Sequence, residues 1–425
     1  MKILWVINAI IPQIADACNL PKNNGGGWLS AFFNSITSNN DHTITVCFPY
    51  RSKQILSDSK KSKFLSFPES APDKYNPHLV EFFERTILSE KPDIVHIFGT
   101  EFPHTLAAVK ACENTELLDK CVVSIQGLIS ECAKFYYAGL PTNAIYRFSI
   151  RDFLKADNVF FQKKSFEKRG KYEIEALKKA KNVIGRTDWD RFCITRINKN
   201  INYFFCNESL RSEFYMQPKW NYEACEKHSV FIPQSYYPLK GFHNLIKAFA
   251  KLAERYPDIH IYTTGNGGNH GGFFANLKHQ TYYQKYLIKL INKYSLQKKI
   301  VFLGDLSAEQ MRDRLLKSNV FVLSSSLENS PNSLGEAMIL GVPCICSDVG
   351  GVRSLIKDRQ EGFLYPFDKP QMVEKYIVNV FSDIDTANLI SKNAIKRAEI
   401  THSTKINANA LNDIYLSFYR GYKAP

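Results

Sequence analysis

The sequence predicts an α/β protein made of two tandem Rossmann-like, doubly wound domains. Three observations carry this. Short apolar strand-like runs alternate with helix-length amphipathic segments from end to end. The alternation is interrupted once near the middle. The chain has 425 residues, 44% of them hydrophobic, enough for two cores of ordinary size. In the first half the runs are KILWVIN from Lys2, TITVCF from Thr43, DIVHIF from Asp93, CVVSIQ from Cys121, NVIG from Asn182 and NYFF from Asn202, each apolar enough to be buried on both faces. Between Gln217 and Lys227 apolar positions thin out around Pro218 and Trp220, which reads as a linker. The pattern restarts with SVFIPQ from Ser229, IHIYTTG from Ile259, KIVFLG from Lys299, VFVLSS from Val320 and PCICS from Pro343. Helical stretches such as NLIKAFAKLAERY place apolar residues at i, i+3, i+4 and i+7. The expected domains are 1–216, 217–400 and a C-terminal helix in 401–425 returning toward the first domain. Ligands of such sheets bind at the carboxyl ends of strands, and two domains facing each other would frame a cleft there.

Composition narrows the class. The mean hydropathy is −0.26, and no apolar run reaches the roughly eighteen residues of a spanning helix. The apolar start is interrupted by Asn8, Pro12, Gln13 and Asp16, so it reads as a buried strand rather than a leader peptide. Ten cysteines contain no Cys-x-x-Cys pair, and Cys47, Cys121, Cys344 and Cys346 fall in strand-like runs where a reduced thiol is a small hydrophobe. This points to the cytoplasm and away from zinc. The formal charge of +14 raises nucleic acid or an anionic membrane as a partner. The excess concentrates from Arg151 to Lys181, interleaved with Phe153, Phe160, Phe161, Phe166 and Tyr172 at the spacing of a basic amphipathic helix; a solvated helix face has the same pattern. Without a nucleic-acid motif, the inner face of the cell membrane is the better partner and nucleic acid is set aside.

The most informative stretch follows the run VFVLSS: Glu328, Asn329, Ser330, Pro331, Asn332, Ser333, Leu334, Gly335, Glu336. Ser330 is expected to cap a helix whose first position is Pro331, leaving the amides of Asn332, Ser333 and Leu334 to bind an anion. Glu336 would then stand beside a bound phosphate, within reach of a ribose. Acidic residues also simply favour helix starts, which would account for a lone glutamate pair. The fuller context, with Gly341-Val342-Pro343 and then Asp348-Val349-Gly350-Gly351, resembles the donor-site signature of family 4 retaining glycosyltransferases, the glycosyl transferases group 1 of GT-B fold. The similarity extends over roughly Phe231 to Phe363 and more loosely over the first half, where Arg186 to Asp190 and Cys206 to Arg211 look like relatives that build bacterial surface polysaccharides.

That resemblance implies a hexosyltransferase needing no metal or other cofactor, with a nucleotide-diphosphate sugar (UDP or GDP) as co-substrate and a saccharide or lipid-linked saccharide as acceptor. It assigns catalytic roles to Lys240, which would hold the donor diphosphate, and Glu328, which would orient the donor sugar. Glu336, Asn332, Ser333, Leu334, Gly265, Asn266 and Gly26 would complete the donor site. Gly25 and Gly27 look like the family's flexible glycine loop near phosphate or acceptor. Two positions depart from the pattern: Ser235 stands where relatives often carry arginine, and Gln126 where they often carry histidine, so Gln126 is expected to position groups rather than move protons. His96 is a candidate at a strand end, although a lone histidine is more often a core residue. Arg186 would hold a phosphate or sugar hydroxyl, or pair with Asp188 or Asp190. Two other functions fit the architecture: a nucleotide-sugar 2-epimerase, and a degenerate, non-catalytic sugar-nucleotide-binding subunit.

Overall fold

The computed structural model describes residues 1–21, 26–39, 42–51, 56–59, 61–265 and 280–420. Gly25 and Asn266 therefore lie outside the described residues. The chain divides into two compact units, one of residues 1–131, 165–211 and 402–425, the other of 132–164 and 212–401. Residues 132–164, expected in the first domain, cluster with the second unit, and the linker begins a few residues earlier than the composition shift indicated.

The first unit is built on an eight-stranded sheet ordered β3-β4-β2-β1-β5-β6-β7-β8. Its strands are β1 (Lys2–Val6), β2 (Thr43–Tyr50), β3 (Leu56–Asp58), β4 (Ser62–Pro68), β5 (Ile94–Phe98), β6 (Cys121–Ser124), β7 (Asn182–Gly185) and β8 (Asn202–Phe205). All neighbours are parallel except the short edge strand β3, which runs antiparallel to β4. Alternate residues of β1 serve opposite cores: Leu4 and Val6 pack under the helices His78–Glu90 and His104–Asn114, while Ile3 and Trp5 face the helices Gly27–Asn39 and Thr404–Arg420. This double burial is why the strands read as nearly continuous apolar runs.

The second unit has six parallel strands ordered β11-β10-β9-β12-β13-β14. They are β9 (Glu226–Ile232), β10 (His260–Thr263), β11 (Ile300–Phe302), β12 (Ser318–Leu323), β13 (Cys344–Ser347) and β14 (Phe363–Tyr365). The chain winds outward from β9 through β10 to β11, then returns to β12 beside β9 and winds the other way. That reversal leaves a crevice beyond the carboxyl ends of β9 and β12. In the first unit the same reversal lies between β1 and β5.

The basic stretch forms two helices, Ile150–Lys155 and Val159–Lys179, rather than one. Further along, Lys179 and Lys181 are neutralised by Glu113 and Asp119 at 2.6 and 2.7 Å. Among the described residues no helix is long and apolar enough to cross a membrane. All ten cysteines are free thiols.

The C-terminal helix is tied to the first unit's core by Tyr415. Its buried hydroxyl accepts from Trp5 Nε1 at 3.0 Å and meets His96 Nδ1 at 2.6 Å. Tyr415→Phe keeps the ring and strands both nitrogens, so it should lower unfolding stability by about 1–3 kcal/mol, read from the urea midpoint at unchanged slope.

Candidate functional site

Two loops meet at the strand reversal of the second unit. After β9 the chain makes a turn of 3-10 helix, Pro238–Lys240, and enters the helix Phe242–Arg255 through Gly241, whose φ of 67° is left-handed. After β12 it runs through Ser324, Ser325 and Ser326 to Glu328. Hydrogen bonds fasten the loops together: Ser324 Oγ donates to the Lys240 carbonyl at 2.6 Å, and the Ser326 amide donates to the Leu239 carbonyl at 2.7 Å. A Cβ on Gly241 would stand 2.0 Å from the Ser324 carbonyl oxygen. Glycine is therefore required by backbone angle and by space together.

This union brings Lys240 Nζ to 2.6 Å from Glu328 Oε1, with side-chain exposures of 17% and 13%. Ser325 Oγ donates to the same carboxylate oxygen at 2.6 Å. Burial alone would lower the Lys240 pKa, but the neighbouring Glu328 charge and then Tyr237 outweigh it and hold the ammonium well above the ordinary lysine range. Glu328 is fixed from behind as well. Its carbonyl accepts from the Gly351 amide at 3.0 Å, and a Cβ on Gly350 would lie 2.0 Å from that oxygen.

Four residues beyond Glu328 the helix Asn332–Leu340 begins. Pro331 is its N-cap, in extended conformation, rather than its first helical residue, and no side chain caps the helix. Ser330 thus does not play the capping part expected of it. The Pro331 carbonyl also accepts from the Leu334 amide at 3.0 Å in a tight first turn. Leu334 is therefore withdrawn from the expected trio of amides, and Asn332 and Ser333 remain at the helix end. Asn332 Oδ1 is buried without a hydrogen-bond partner. Glu336, 6% exposed, lies one turn further along. Gly265 follows β10 by two residues, at a φ of 114°, where a Cβ would collide with the Tyr236 ring. Ser235 is buried, its amide bonded to the Thr264 carbonyl at 3.1 Å.

The first unit treats its candidates differently. His96 is the middle residue of β5, not its end, and is fully buried. Its nitrogens meet Tyr415 Oη and Ser124 Oγ, both at 2.6 Å, and burial pushes its pKa well below the ordinary imidazole value. It is a core histidine with no nitrogen left for substrate. Arg186 pairs neither with Asp188 nor with Asp190. Its Nη1 lies 2.6 Å from Glu208 Oε2, and both side chains are buried, at 4% and 5% exposure. Asp190 instead accepts from the Arg186 backbone amide at 2.9 Å and from Tyr203 Oη at 2.6 Å. Gln126 Nε2 donates to the other Glu208 oxygen. The ends of β6, β7 and β8 thus close on one another through Glu208. Gly26 is left-handed at φ 74°, and Gly27 opens the helix Gly27–Asn39 where a Cβ would strike Arg211.

Glu101 was not singled out from sequence. It follows β5 by three residues, at the first unit's own strand reversal. Its Oε1 accepts from the Gly127 amide at 3.0 Å, and its buried Oε2 has no hydrogen-bond partner. Burial, reinforced by nearby Glu173, pushes its pKa up to about 7. Next to it in the chain, Phe102 and His104 border a small groove of about 70 Å³ together with Asn8, Phe67, Glu69 and Lys74. The acid after Gly99-Thr100 at a strand end was the available signal. Among the described residues no cluster of three or more His, Cys, Asp or Glu is arranged to hold a metal ion.

Two outcomes follow for stability. Gly241→Ala should cost about 1–3 kcal/mol from the left-handed backbone alone and more from the contact with Ser324, measured by thermal or urea unfolding. Native Glu101 keeps its proton to about pH 7 whereas a free glutamate releases it near 4.5, so the native state binds more protons in that window and Glu101's contribution to stability declines as pH rises through it. Glu101→Gln removes that decline. Its stability relative to the unsubstituted protein should grow between pH 4.5 and 7, by at most about 3 kcal/mol; a pH-independent difference would contradict the assignment.

Residues 223–397 match the family described as glycosyl transferases group 1. YtcC of Bacillus subtilis (strain 168) is 29% identical over 182 residues, which is 42% of this chain and 43% of that protein. The UDP-Gal:alpha-D-GlcNAc-diphosphoundecaprenol alpha-1,3-galactosyltransferase of Escherichia coli is 31% identical over 124 residues, 29% of this chain and 31% of the relative. The chain thus aligns with less than half the length of either. Sucrose-phosphate synthase from Thermosynechococcus elongatus superposes with a TM-score of 0.74 at 15% identity, covering 99% of this chain and 100% of the other. Residues 223–397 therefore carry a glycosyl transferases group 1 domain, consistent with family 4, and the chain has a GT-B fold.

Proposed function

We propose that the protein is a retaining glycosyltransferase that moves a hexose-type sugar from a nucleotide-diphosphate donor to a saccharide or lipid-linked saccharide acceptor. One observation carries the reading: Lys240 and Glu328 meet at the strand reversal of the second unit, four residues before a helix start that has no side-chain cap. A permanently charged ammonium there neutralises the diphosphate and the charge that grows on it as the sugar leaves, without calling on a metal. The amides of Asn332 and Ser333 and the helix dipole favour the same anion. Glu336 serves the ribose and Glu328 the donor sugar, and Gly265 lets the chain pass close to the nucleotide.

Of UDP and GDP, the name of the Escherichia coli relative favours UDP, and its diphosphoundecaprenol substrate favours a lipid-linked acceptor. The first unit would receive the acceptor at its own strand reversal, beside Gly26, Glu101 and the Asn8–His104 groove. In the reaction the bond from C1 of the sugar to the donor phosphate oxygen breaks, and the acceptor hydroxyl oxygen bonds to C1 on the same face. The hydroxyl proton passes to the departing phosphate. Gln126, held by Glu208, acts only in positioning. An epimerase would instead need a proton-transfer group beside the hexose, a part that buried His96 does not play.

Lys240→Ala and Glu336→Ala should each lower nucleotide-sugar affinity or turnover by about tenfold or more. Calorimetric titration with UDP, GDP and their hexose conjugates reads affinity, and release of nucleoside diphosphate reads turnover. Normal binding and turnover in both folded variants would refute the site.

A further inference from the structure

The helix Ile150–Lys155 is inside out. Ile150, Phe153 and Leu154, at i, i+3 and i+4, share one helix face and are 73%, 79% and 77% exposed. Asp152 of the same helix is completely buried. Tyr146 and Phe148 just before it are also exposed, at 53% and 46%, and their rings lie 5.6 and 5.9 Å from those of Phe160 and Phe161. A folded chain in water ordinarily turns such a helix the other way, and contiguous apolar surface of this kind marks a contact site.

The inversion is built in. Ser149 and Asp152 form a reciprocal capping box, with amide-to-side-chain bonds of 3.0 and 3.1 Å. Asp152 Oδ2 also accepts from the Tyr282 amide at 2.7 Å, beside the helix Tyr282–Lys293 of the same unit. Arg151 is held by Asp157 at 2.7 Å. Asn158 donates to the carbonyls of Ile145 and Arg147, closing the segment on itself. With Arg151 and Asp152 held by the protein's own groups, the helix turns Ile150, Phe153 and Leu154 to the outside.

We propose that this face docks on an anionic phospholipid bilayer, with Ile150, Phe153 and Leu154 entering the interfacial layer and Arg147 and Lys155 meeting the headgroups. Arg147 and Lys155 are exposed on either side of the apolar stripe, and the chain as a whole carries a formal charge of +14. Apolar insertion joined to cationic flanks is the chemistry of an interfacial helix. A second copy of the chain fits less well: a two-fold axis through the stripe would oppose these cations to their own counterparts, and a few projecting side chains cover far less than the roughly 1,200 Å² of a specific pair. The surface belongs wholly to the second unit, so the proposal does not depend on the transferase reading, although it would bring an enzyme to a lipid-linked acceptor.

The test is co-sedimentation of the intact protein with phosphatidylcholine vesicles, with and without phosphatidylglycerol. The protein should bind when phosphatidylglycerol is present; Phe153→Ser with Leu154→Ser should weaken binding by about tenfold or more, and Arg147→Glu with Lys155→Glu should abolish the preference for anionic vesicles. All four positions are exposed, and the melting temperature checks that folding is unaffected. Phe153→Trp should shift its emission to the blue on adding the same vesicles. Failure of the unsubstituted protein to bind, equal binding by the serine variant, or a dimer in sedimentation velocity that the serine variant dissolves would overturn the proposal. Nucleotide binding, followed in parallel, should be the same in all variants, so failure here is distinguishable from failure of the donor site.

Discussion

The second unit is organised around the ion pair between Lys240 and Glu328. Each residue belongs to a loop that leaves one of two adjacent central strands, and the loops are fastened by bonds from the Ser324 hydroxyl and the Ser326 amide to main-chain carbonyls. Removing one partner from a largely buried pair leaves an uncompensated charge, at a typical cost of about 3–5 kcal/mol. The charges therefore constrain the loops as firmly as the loops constrain the charges. Gly241 and Gly350 are part of the same constraint, because each lets a backbone carbonyl approach where a side chain would stand. An anionic ligand at this point enters a site whose cation is already charged and in place, so little reorganisation accompanies binding.

The first unit shows what happens where charges are paired off completely. Glu208 takes Arg186 on one oxygen and Gln126 on the other, and Glu173 accepts from Thr100, Ile129 and Ser130. These carboxylates join neighbouring strand ends, although Arg186 Nε is left buried without a hydrogen-bond partner. Glu101 contrasts with them, since one of its oxygens is buried without a partner. A buried polar atom left unsatisfied is costly, and such atoms are retained where a ligand can complete the bond. Hence Glu101, unlike His96, keeps a buried bonding atom open, as do Arg186 at Nε and His104 at Nε2 in the same unit.

Much of this was legible in the sequence. Strands buried on both faces announce themselves as apolar runs, so β1, β2, β5 to β13 were readable, and the Glu328 to Glu336 segment carried a local signature that brought Lys240 with it. The strands β3, β4 and β14 were missed: β3 and β14 are only three residues long, and β4 begins and ends on polar or exposed positions. The identity of the N-cap was misread since proline suits both the cap and the first helical position, and only the backbone angle of Pro331 distinguishes them. The surroundings of His96 and Arg186 were not legible for a different reason. Their partners, Tyr415 and Glu208, come from 319 and 22 residues away, and no local pattern reveals such a partner.

The segment from 132 to 164 shows the same limit from the other side. Its composition is basic and aromatic, and composition alone cannot tell a solvated helix from one that exposes its apolar face. The decision lies with Asp152. Because that carboxylate caps its own helix and also receives the Tyr282 amide, it must point inward, and the three apolar residues must then point out. Any sequence in which that aspartate lost its two anchors would be free to roll the helix over and bury the stripe. The exposed face is thus a consequence of polar bonds made on the opposite side, which is why it is visible in the fold and not in the hydrophobic pattern.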